Sequence, residues 1–245
     1  MIRRHQGMRF LGGFYAFPGG KVDAGDMAPE SLALCRGLTA VEAERLLPSN
    51  DAIPSLAFWV AAVRELLEET GILMACDGEG RPVHRSDPAV AARAERRRKA
   101  LMAGERSLTA LFAEEGWFYH LSRLRYLSHF ITPTSSPIRF AARFFLAPVP
   151  VGQEPRLYTE EASEGFWIGP GEGVRRFRSG EMTMAEPAEY ALRYLAQFES
   201  HEALWEHHAD GHHKFHGIVD RVDFYGEGFD WETASWKGDK PPWKP

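Results

Sequence analysis

The chain has 245 residues, of which 44% are hydrophobic and 26% are charged, a composition that is ordinary for a folded globular protein. Its formal net charge of −5 excludes a basic nucleic-acid binder, and no apolar run approaches the length of a membrane span, so we expect neither partner. Two cysteines provide no disulfide framework, which favours a reducing, cytoplasmic compartment.

Turn residues and hydrophobic periodicity divide the chain into interleaved strands and helices. In chain order they predict a strand and loop at 10–17, a helix at 39–47, a helix at 55–71, a strand and turn at 72–83, two helices within 87–116, strands at 124–132, 139–148 and 166–168, and helices at 171–178 and 187–198. The basic run at 93–99 is interpreted as a solvated helix face. Residues 201–245 form a tail that is first His-rich and then Trp-rich.

The end of the helix at 55–71 contains three closely spaced glutamates. At about 100° per residue, Glu65, Glu68 and Glu69 share one narrow face, and the opposite face is apolar. Like charges at i and i+4 destabilise a helix, and Arg64 offsets only part of the repulsion. A hard divalent cation held by oxygen ligands accounts for such a cluster.

A glycine-rich loop upstream supplies the other half of a motif. The sequence Phe17-Pro18-Gly19-Gly20 contains adjacent glycines, whose backbone can approach a ligand without a Cβ in the way. Loop and helix together resemble the Nudix hydrolase signature Gx5Ex7REUxEExGU, in which U is aliphatic. Gly20 opens the motif, Asp26 stands where the signature has Glu, and residues 64–72 complete the helical half. The signature expects seven residues between the acid and the arginine, whereas this chain has 37.

The extra length is interpreted as an insertion at 27–54, similar to that in the coenzyme A diphosphatase branch of the family. Added length at a loop-to-helix junction costs little closure entropy, and we expect the insertion to shape substrate choice. The resemblance implies an α+β fold, in which a mixed β-sheet is sandwiched between helices. It also implies a Nudix hydrolase domain over residues 1–200, with the tail at 201–245 outside it.

The same resemblance implies a metal site. Glu65, Glu68, Glu69 and the carbonyl of Gly19 would contact Mg2+ or Mn2+. Arg64 would orient the carboxylates of the helix through charge-assisted hydrogen bonds, which gives it a catalytic role without direct contact to the metal.

The residue that activates water has two candidate locations. Glu65 matches the position to which the family often assigns this role. Other members use a glutamate from a later loop, and here three residues just before the strand at 166–168 qualify: Glu160, Glu161 and Glu164. We favour Glu164, with Glu161 second. A solvated acidic loop is the alternative interpretation of all three.

The N-terminal segment resembles the coenzyme A signature of the family, LLTxRSx3Rx3Gx3FPGG. Substrate-binding residues at its spacing are Arg4, Arg9, Gly13 and Gly20. Arginine suits the phosphates of coenzyme A because its planar fork pairs with phosphate oxygens. His5 replaces the serine, and Met1-Ile2 stands in place of Leu-Leu-Thr, so we expect the chain to begin inside its first strand. Alternatively, Arg4 and Arg9 are surface charges that flank a strand.

The leading hypothesis is a metal-dependent diphosphatase that cleaves a small molecule, coenzyme A or an acyl-coenzyme A. One alternative is a broader Nudix pyrophosphatase that acts on NADH, ADP-ribose or nucleotide sugars. Another is a non-catalytic nucleotide-sensing module, although decay should first remove the metal ligands, and these are all present.

The tail raises two further questions. His208, His212 and His216 recur every four residues and could bind zinc, but a polar surface stretch is the favoured interpretation. Three tryptophans follow, and we expect them to pack the tail against the domain or against a second subunit, which would make a homodimer: Trp231, Trp236 and Trp243.

Overall fold

The computed structural model describes residues 1–7, 11–47, 53–131, 140–157 and 162–209, and the backbone of two short strands near the C-terminus. In chain order its elements are β1 (Ile2–Arg4), β2 (Tyr15–Ala16), α1 (Pro29–Ala33), β3 (Cys35–Arg36), α2 (Ala40–Leu46), α3 (Ser55–Thr70), β4 (Ala75–Cys76), α4 (Pro88–Met102), α5 (Leu108–Glu115), β5 (Phe118–His120), β6 (Arg125–Ile131), β7 (Ala141–Leu146), β8 (Ala162–Gly165), α6 (Pro170–Arg178), α7 (Glu186–Leu195), α8 (His201–His207), β9 (Phe229–Asp230) and β10 (Ser235–Trp236). Over these residues, no helix is long and apolar enough to cross a membrane.

The predicted helices are confirmed, but one predicted strand is wrong. Sequence pattern placed a strand at 166–168, whereas β8 ends at Gly165 and comprises the acidic segment that was expected to be a loop. β8 pairs antiparallel with β1, and its register sets Glu164 opposite Arg3. A cross-strand pair of opposite charges can stabilise a strand that lacks an apolar pattern, which explains why periodicity missed it.

Contacts divide the chain into two compact units, Met1–Leu124 with Ala147–Trp167 and Arg125–Leu146 with Ile168–Pro245. The described residues of the first unit form two three-stranded sheets. In one, β1 lies between β2 and β8 and is antiparallel to both. In the other, β5 is parallel to β3 and antiparallel to β4, so this sheet is mixed, as predicted. The predicted domain boundary at residue 200 stays a prediction.

Helix α3 forms the centre of the first unit. Trp59, Val63 and Leu67 on its apolar face are at most 2% exposed. The helix packs against α1, α2 and α4. Gly71 ends it in the left-handed conformation, with φ of 70°, as is usual for a glycine just past a helix C-terminus. The glutamate cluster therefore occupies the last two turns of a helix that is packed against other helices.

The insertion contributes α1, β3 and α2 and belongs to the core of the first unit. Thr39 caps α2 through reciprocal hydrogen bonds with Glu42. Leu47 is 2% exposed, and Ser55 at the start of α3 donates a 2.7 Å hydrogen bond to its carbonyl. Because β3 is also an edge strand of the mixed sheet, the insertion supports the fold in addition to its predicted effect on substrate choice.

In the described part of the second unit, β6 pairs antiparallel with β7, the helices α6, α7 and α8 follow, and β9 pairs with β10. The core of this unit comprises Leu127 and Phe130 of β6 and Tyr190 and Tyr194 of α7. His208 is only 1% exposed and is hydrogen-bonded to the Tyr194 hydroxyl at 2.9 Å. The expectation of a polar surface stretch is therefore wrong for this histidine.

The remaining predictions for the tail concern residues outside the described part of the chain. His212, His216, Trp231 and Trp243 lie there, and only the backbone of Trp236 is described, as the last residue of β10. Zinc binding by these histidines therefore stays an alternative hypothesis, and the packing of the tail stays a prediction.

Candidate active site

Arg64 and Asp26 form the buried centre of the site. Arg64 donates from Nε to Oδ1 and from Nη2 to Oδ2 of Asp26, each at 2.9 Å. Arg64 is 9% exposed and Asp26 is 3% exposed. This bidentate geometry is the strongest form of a carboxylate–guanidinium pair. It joins the glycine loop to α3 across the insertion, so the 37 intervening residues do not separate the two halves of the motif.

The remaining donors of Arg64 fix two of the predicted metal ligands. Nη1 donates to Glu65 Oε1 and to Glu68 Oε2, both at 2.9 Å, and Nη2 donates to the carbonyl of Lys21 at 2.7 Å. The carboxylate of Asp23 lies 3.7 Å from Nη2. The predicted orienting role of Arg64 agrees with this arrangement, because one guanidinium holds the loop and two glutamates together.

The glycine loop contacts the other side of the glutamate cluster. The amide of Gly19 donates a 2.8 Å hydrogen bond to Glu69 Oε2. Gly19 has φ of 151°, a conformation that favours glycine. A Cβ on Gly20 would overlap the carboxylate of Glu65. Gly19 therefore suits the loop by its backbone conformation, and a side chain at Gly20 would displace the Glu65 carboxylate from its present position.

Burial makes ionisation of the clustered carboxyls unfavourable. Burial raises the pKa of Glu65, Arg64 opposes the rise, and the charge of Glu68 adds to it. The pKa of Glu68 is also raised by burial and opposed by Arg64. Burial would lower the pKa of Arg64, but its hydrogen bond to Asp26 and the surrounding carboxylates raise it. One guanidinium thus balances only part of the negative charge around it.

Further contacts hold the C-terminal end of α3, and sequence reasoning missed them. Arg98 is 7% exposed and donates to the carbonyl of Glu68 at 3.2 Å, and Arg85 donates to the carbonyl of Gly71. Cations are favourable at this end of a helix. The prediction of a solvated basic face on α4 is therefore wrong for Arg98. The sequence signal for its burial is that Arg98 follows Ala94 by four residues, which places both on one face of α4. Ala94 is also buried.

A buried glutamine fixes the chain just beyond the helix. The side-chain amide of Gln153 accepts from the amide of Leu73 at 2.8 Å and donates to the carbonyl of Leu73 at 3.0 Å. The amide of Arg156 donates to the carbonyl of Thr70 at 2.9 Å. The segment that leads toward β8 is thus bonded to the end of the helix that carries the glutamates.

Glu164, the favoured glutamate from the later segment, lies on β8 and not on a loop. Its Oε1 accepts from the Tyr15 hydroxyl at 3.2 Å, and its Oε2 lies 3.8 Å from Arg3 Nη1. Within the described residues, no hydrogen bond or ion pair joins it to the glutamates of α3. Glu160 and Glu161 lie outside the described residues.

The predicted substrate residues at the N-terminus are described in part. Arg4 closes the β1–β2 connection through backbone hydrogen bonds with Phe14 and Gly13. Its side-chain Nε is buried and has no hydrogen-bond acceptor in the described part of the chain. Gly13 has φ of 79°, which explains a glycine at that turn. Arg9 lies outside the described residues.

The sequence profile of the NUDT19 Nudix domain family matches residues 1–195. The chain belongs to the Nudix hydrolases. A solved Nudix hydrolase from Alicyclobacillus acidocaldarius is 31% identical, with a TM-score of 0.64, and the match covers 82% of this chain and 84% of that one. The predicted family and the α+β Nudix fold are confirmed by these matches.

Two curated relatives are similar over most of the chain. The acyl-coenzyme A diphosphatase NUDT19 of Gallus gallus is 28% identical over 85% of this chain, and the putative nudix hydrolase 7 of Caenorhabditis elegans is 28% identical over 80%. The chain spans 64% of the length of the first relative and 55% of the second.

The donor set of the Nudix motif suits a hard cation, although its carboxylates are engaged with protein groups. Glutamate oxygens and a glycine carbonyl are the ligands that such cations prefer. Among the described residues, no three His, Cys, Asp or Glu side chains form a group that could hold a metal ion. The contacts explain this result, since Glu65 and Glu68 are directed toward Arg64, and Glu69 toward the Gly19 amide.

Proposed function

We propose that this Nudix chain hydrolyses a diphosphate linkage in coenzyme A or an acyl-coenzyme A, and that it uses Mg²⁺ or Mn²⁺. The observation that carries the proposal is the carboxylate cluster around Arg64. Four carboxylates contact one guanidinium: Asp23, Asp26, Glu65 and Glu68. The excess negative charge is concentrated beside a glycine loop, and a divalent cation would balance it.

The residues that would hold the ion are Glu65, Glu68, Glu69 and the carbonyl of Gly19. When bound, the ion neutralises phosphate oxygens that otherwise repel a nucleophile. Arg64 keeps the two nearer glutamates on the loop side of α3, and Asp26 keeps Arg64 in place. The glutamate oxygens that would hold the ion now accept hydrogen bonds from Arg64 and from the Gly19 amide.

The reaction also needs a group that takes a proton from water. Water adds to one phosphorus atom, the P–O bond to the bridging oxygen breaks, and each product leaves as a phosphate monoester. Glu65 is the candidate on α3, where its carboxylate accepts a hydrogen bond from Arg64. Glu164 is the candidate on β8, where Tyr15 and Arg3 hold its carboxylate.

Two observations support coenzyme A as the substrate class. The relative from Gallus gallus is named an acyl-coenzyme A diphosphatase. In addition, the Nε of Arg4 is buried without an acceptor among the described residues, as expected for a donor that binds an anionic ligand. We propose that Arg4 and Arg9 bind phosphates of the substrate, and that Gly13 and Gly20 let the backbone approach it.

Location and assembly complete the proposal. Cys35 and Cys76 are both free thiols, and we infer a cytoplasmic site of action because such thiols persist in reducing compartments. A homodimer formed through the Trp-rich tail is retained as a prediction.

The test is hydrolysis of coenzyme A with Mg²⁺, with Mn²⁺ and with a chelator, with products identified by mass. We expect a phosphopantetheine and adenosine 3′,5′-bisphosphate in the presence of either metal. Hydrolysis of NADH, ADP-ribose or nucleotide sugars in place of coenzyme A would favour the broader pyrophosphatase. Nucleotide binding without hydrolysis of any substrate would favour the sensing module.

A further inference from the structure

A chain of three hydroxyls, two of them on buried residues, links the mixed sheet to the glycine loop. The Tyr119 hydroxyl on β5 lies 3.0 Å from Thr109 Oγ1 on α5. Thr109 Oγ1 lies 2.5 Å from Ser31 Oγ on α1, and Ser31 Oγ lies 2.5 Å from the carbonyl oxygen of Gly25. Ser31 is 0% exposed and Tyr119 is 1% exposed, whereas Thr109 between them is half-buried.

The chemistry of the end group fixes the direction of every bond. A carbonyl oxygen can only accept, and a hydroxyl has a single proton to donate. Ser31 therefore donates to Gly25 and accepts from Thr109, and Thr109 in turn accepts from Tyr119. Hydroxyls aligned in one direction polarise each other, so the chain holds the Gly25 carbonyl more firmly than one isolated bond would.

The anchored carbonyl belongs to the residue before Asp26. Asp26 accepts from the Asp23 amide at 2.8 Å through Oδ2, and its own amide donates to the Asp23 carbonyl at 3.0 Å. The same carboxylate accepts both hydrogen bonds from Arg64. A shift of Gly25 would consequently move the acid that holds Arg64, together with the turn that it closes.

We propose that Ser31, supplied by the insertion, is a positioning residue that holds the glycine loop in register with α3. Through Gly25 and Asp26 it fixes where Arg64 lies, and through Arg64 it fixes the carboxylates of Glu65 and Glu68. The consequence for catalysis rests on the proposed function, whereas the anchoring of the loop does not. The insertion therefore serves the geometry of the site as well as the fold.

The first test measures amide hydrogen exchange at Asp23 and Asp26 in metal-free protein. Ser31→Ala removes the donor to Gly25, and Ser55→Ala is the matched control, because Ser55 is a buried hydroxyl of the same region that bonds to Leu47 and Glu44 instead. We expect exchange at the two amides to become about tenfold faster in Ser31→Ala and to stay at the wild-type rate in Ser55→Ala. Equal rates in the two variants would overturn the proposal.

The second test separates positioning from general stability through Thr109. Thr109→Val keeps the shape and removes the hydroxyl, whereas Thr109→Ser keeps the hydroxyl. We expect the valine variant to show faster exchange at Asp26 and a lower kcat on coenzyme A with little change in KM, and the serine variant to retain wild-type values. Equal exchange in both variants would overturn the anchoring. If the two Thr109 variants differ in exchange as expected but the wild-type protein hydrolyses no substrate, the result contradicts only the proposed function.

Discussion

Arg64 and Asp26, 38 positions apart in sequence, share two parallel hydrogen bonds of 2.9 Å in the interior of the site. The pair explains how a Nudix motif tolerates a long insertion between its halves. The loop and the helix are joined by a buried ion pair, so the spacing along the chain is not what sets their distance. Asp26 thus stands at the position of the signature's glutamate and pairs with the arginine. It is not among the residues that we predict to contact the metal.

Asp26→Asn should therefore lower both stability and activity. The substitution removes the charge that balances buried Arg64, and loss of one member of such a pair costs about 3–5 kcal/mol. Urea unfolding measures the loss. Asp77→Asn is a suitable control, because Asp77 pairs with Arg81 at an exposed site. A free energy of unfolding for Asp26→Asn that matches the control would contradict the central role of the pair.

Glu68→Gln and Glu69→Gln should each lower turnover by more than about 100-fold, since even outer-shell partners of a metal are worth about 10–100-fold. The amide keeps the shape of the side chain and removes the charge that a cation needs. Stability should change little, because the pKa of Glu68 is already raised by burial. Glu79→Gln, at a side chain that is 72% exposed, is the control. Near wild-type rates in both site variants would show that the site is misplaced.

Local patterns in the sequence were sufficient to predict the glutamate face and the helices that became α2 and α3. Each depends on residues within a few positions of one another. The hydroxyl chain could not be predicted, because Ser31 and Thr109 meet across 78 positions. The same holds for Gln153, which bonds to Leu73 across 80 positions. β8 was missed because its partner strand, and not its own pattern, makes it a strand.

The insertion should prove necessary for folding. Leu47→Ala removes a side chain that is 2% exposed, and such truncations cost about 2–5 kcal/mol. Val41→Ala is the control and should be almost neutral, because Val41 lies on α2, just before Leu47, and is 63% exposed. Thermal and urea unfolding measure both variants. If Leu47→Ala were as stable as Val41→Ala, the insertion would not contribute to the stability of the fold.

Glu189 on α7 predicts a pH dependence of stability in the second unit. Burial raises the pKa of its carboxyl, and Arg193 opposes the rise. An acid whose pKa is higher in the folded state stabilises the fold below its unfolded pKa, and this contribution is lost as the pH rises through the folded value. Glu189→Gln should therefore be more stable than wild type at pH 7, and the gain should vanish in acid. Urea unfolding at pH 4 and pH 7 tests this prediction. A Glu189→Gln variant that is less stable than wild type at pH 7 would contradict it.

Arg4→Ala and Arg9→Ala should separate coenzyme A from dephospho-coenzyme A. If either arginine binds the 3′-phosphate, its loss removes a charge-assisted hydrogen bond worth about 1.5–3 kcal/mol. KM should then rise about tenfold or more for coenzyme A only. Lysine should restore part of the loss, because it provides a point charge in place of a fork. Equal changes in KM for both substrates would show that the arginine does not read that phosphate.

The proposed activity is tested most directly by competition in one reaction. Equimolar coenzyme A, ADP-ribose and NADH are mixed with the protein and Mn²⁺, and products are followed by mass over time. We predict that adenosine 3′,5′-bisphosphate and phosphopantetheine form first, and that neither forms with Glu68→Gln or with a chelator. Formation of AMP from ADP-ribose or NADH while coenzyme A stays intact would contradict the assignment to coenzyme A.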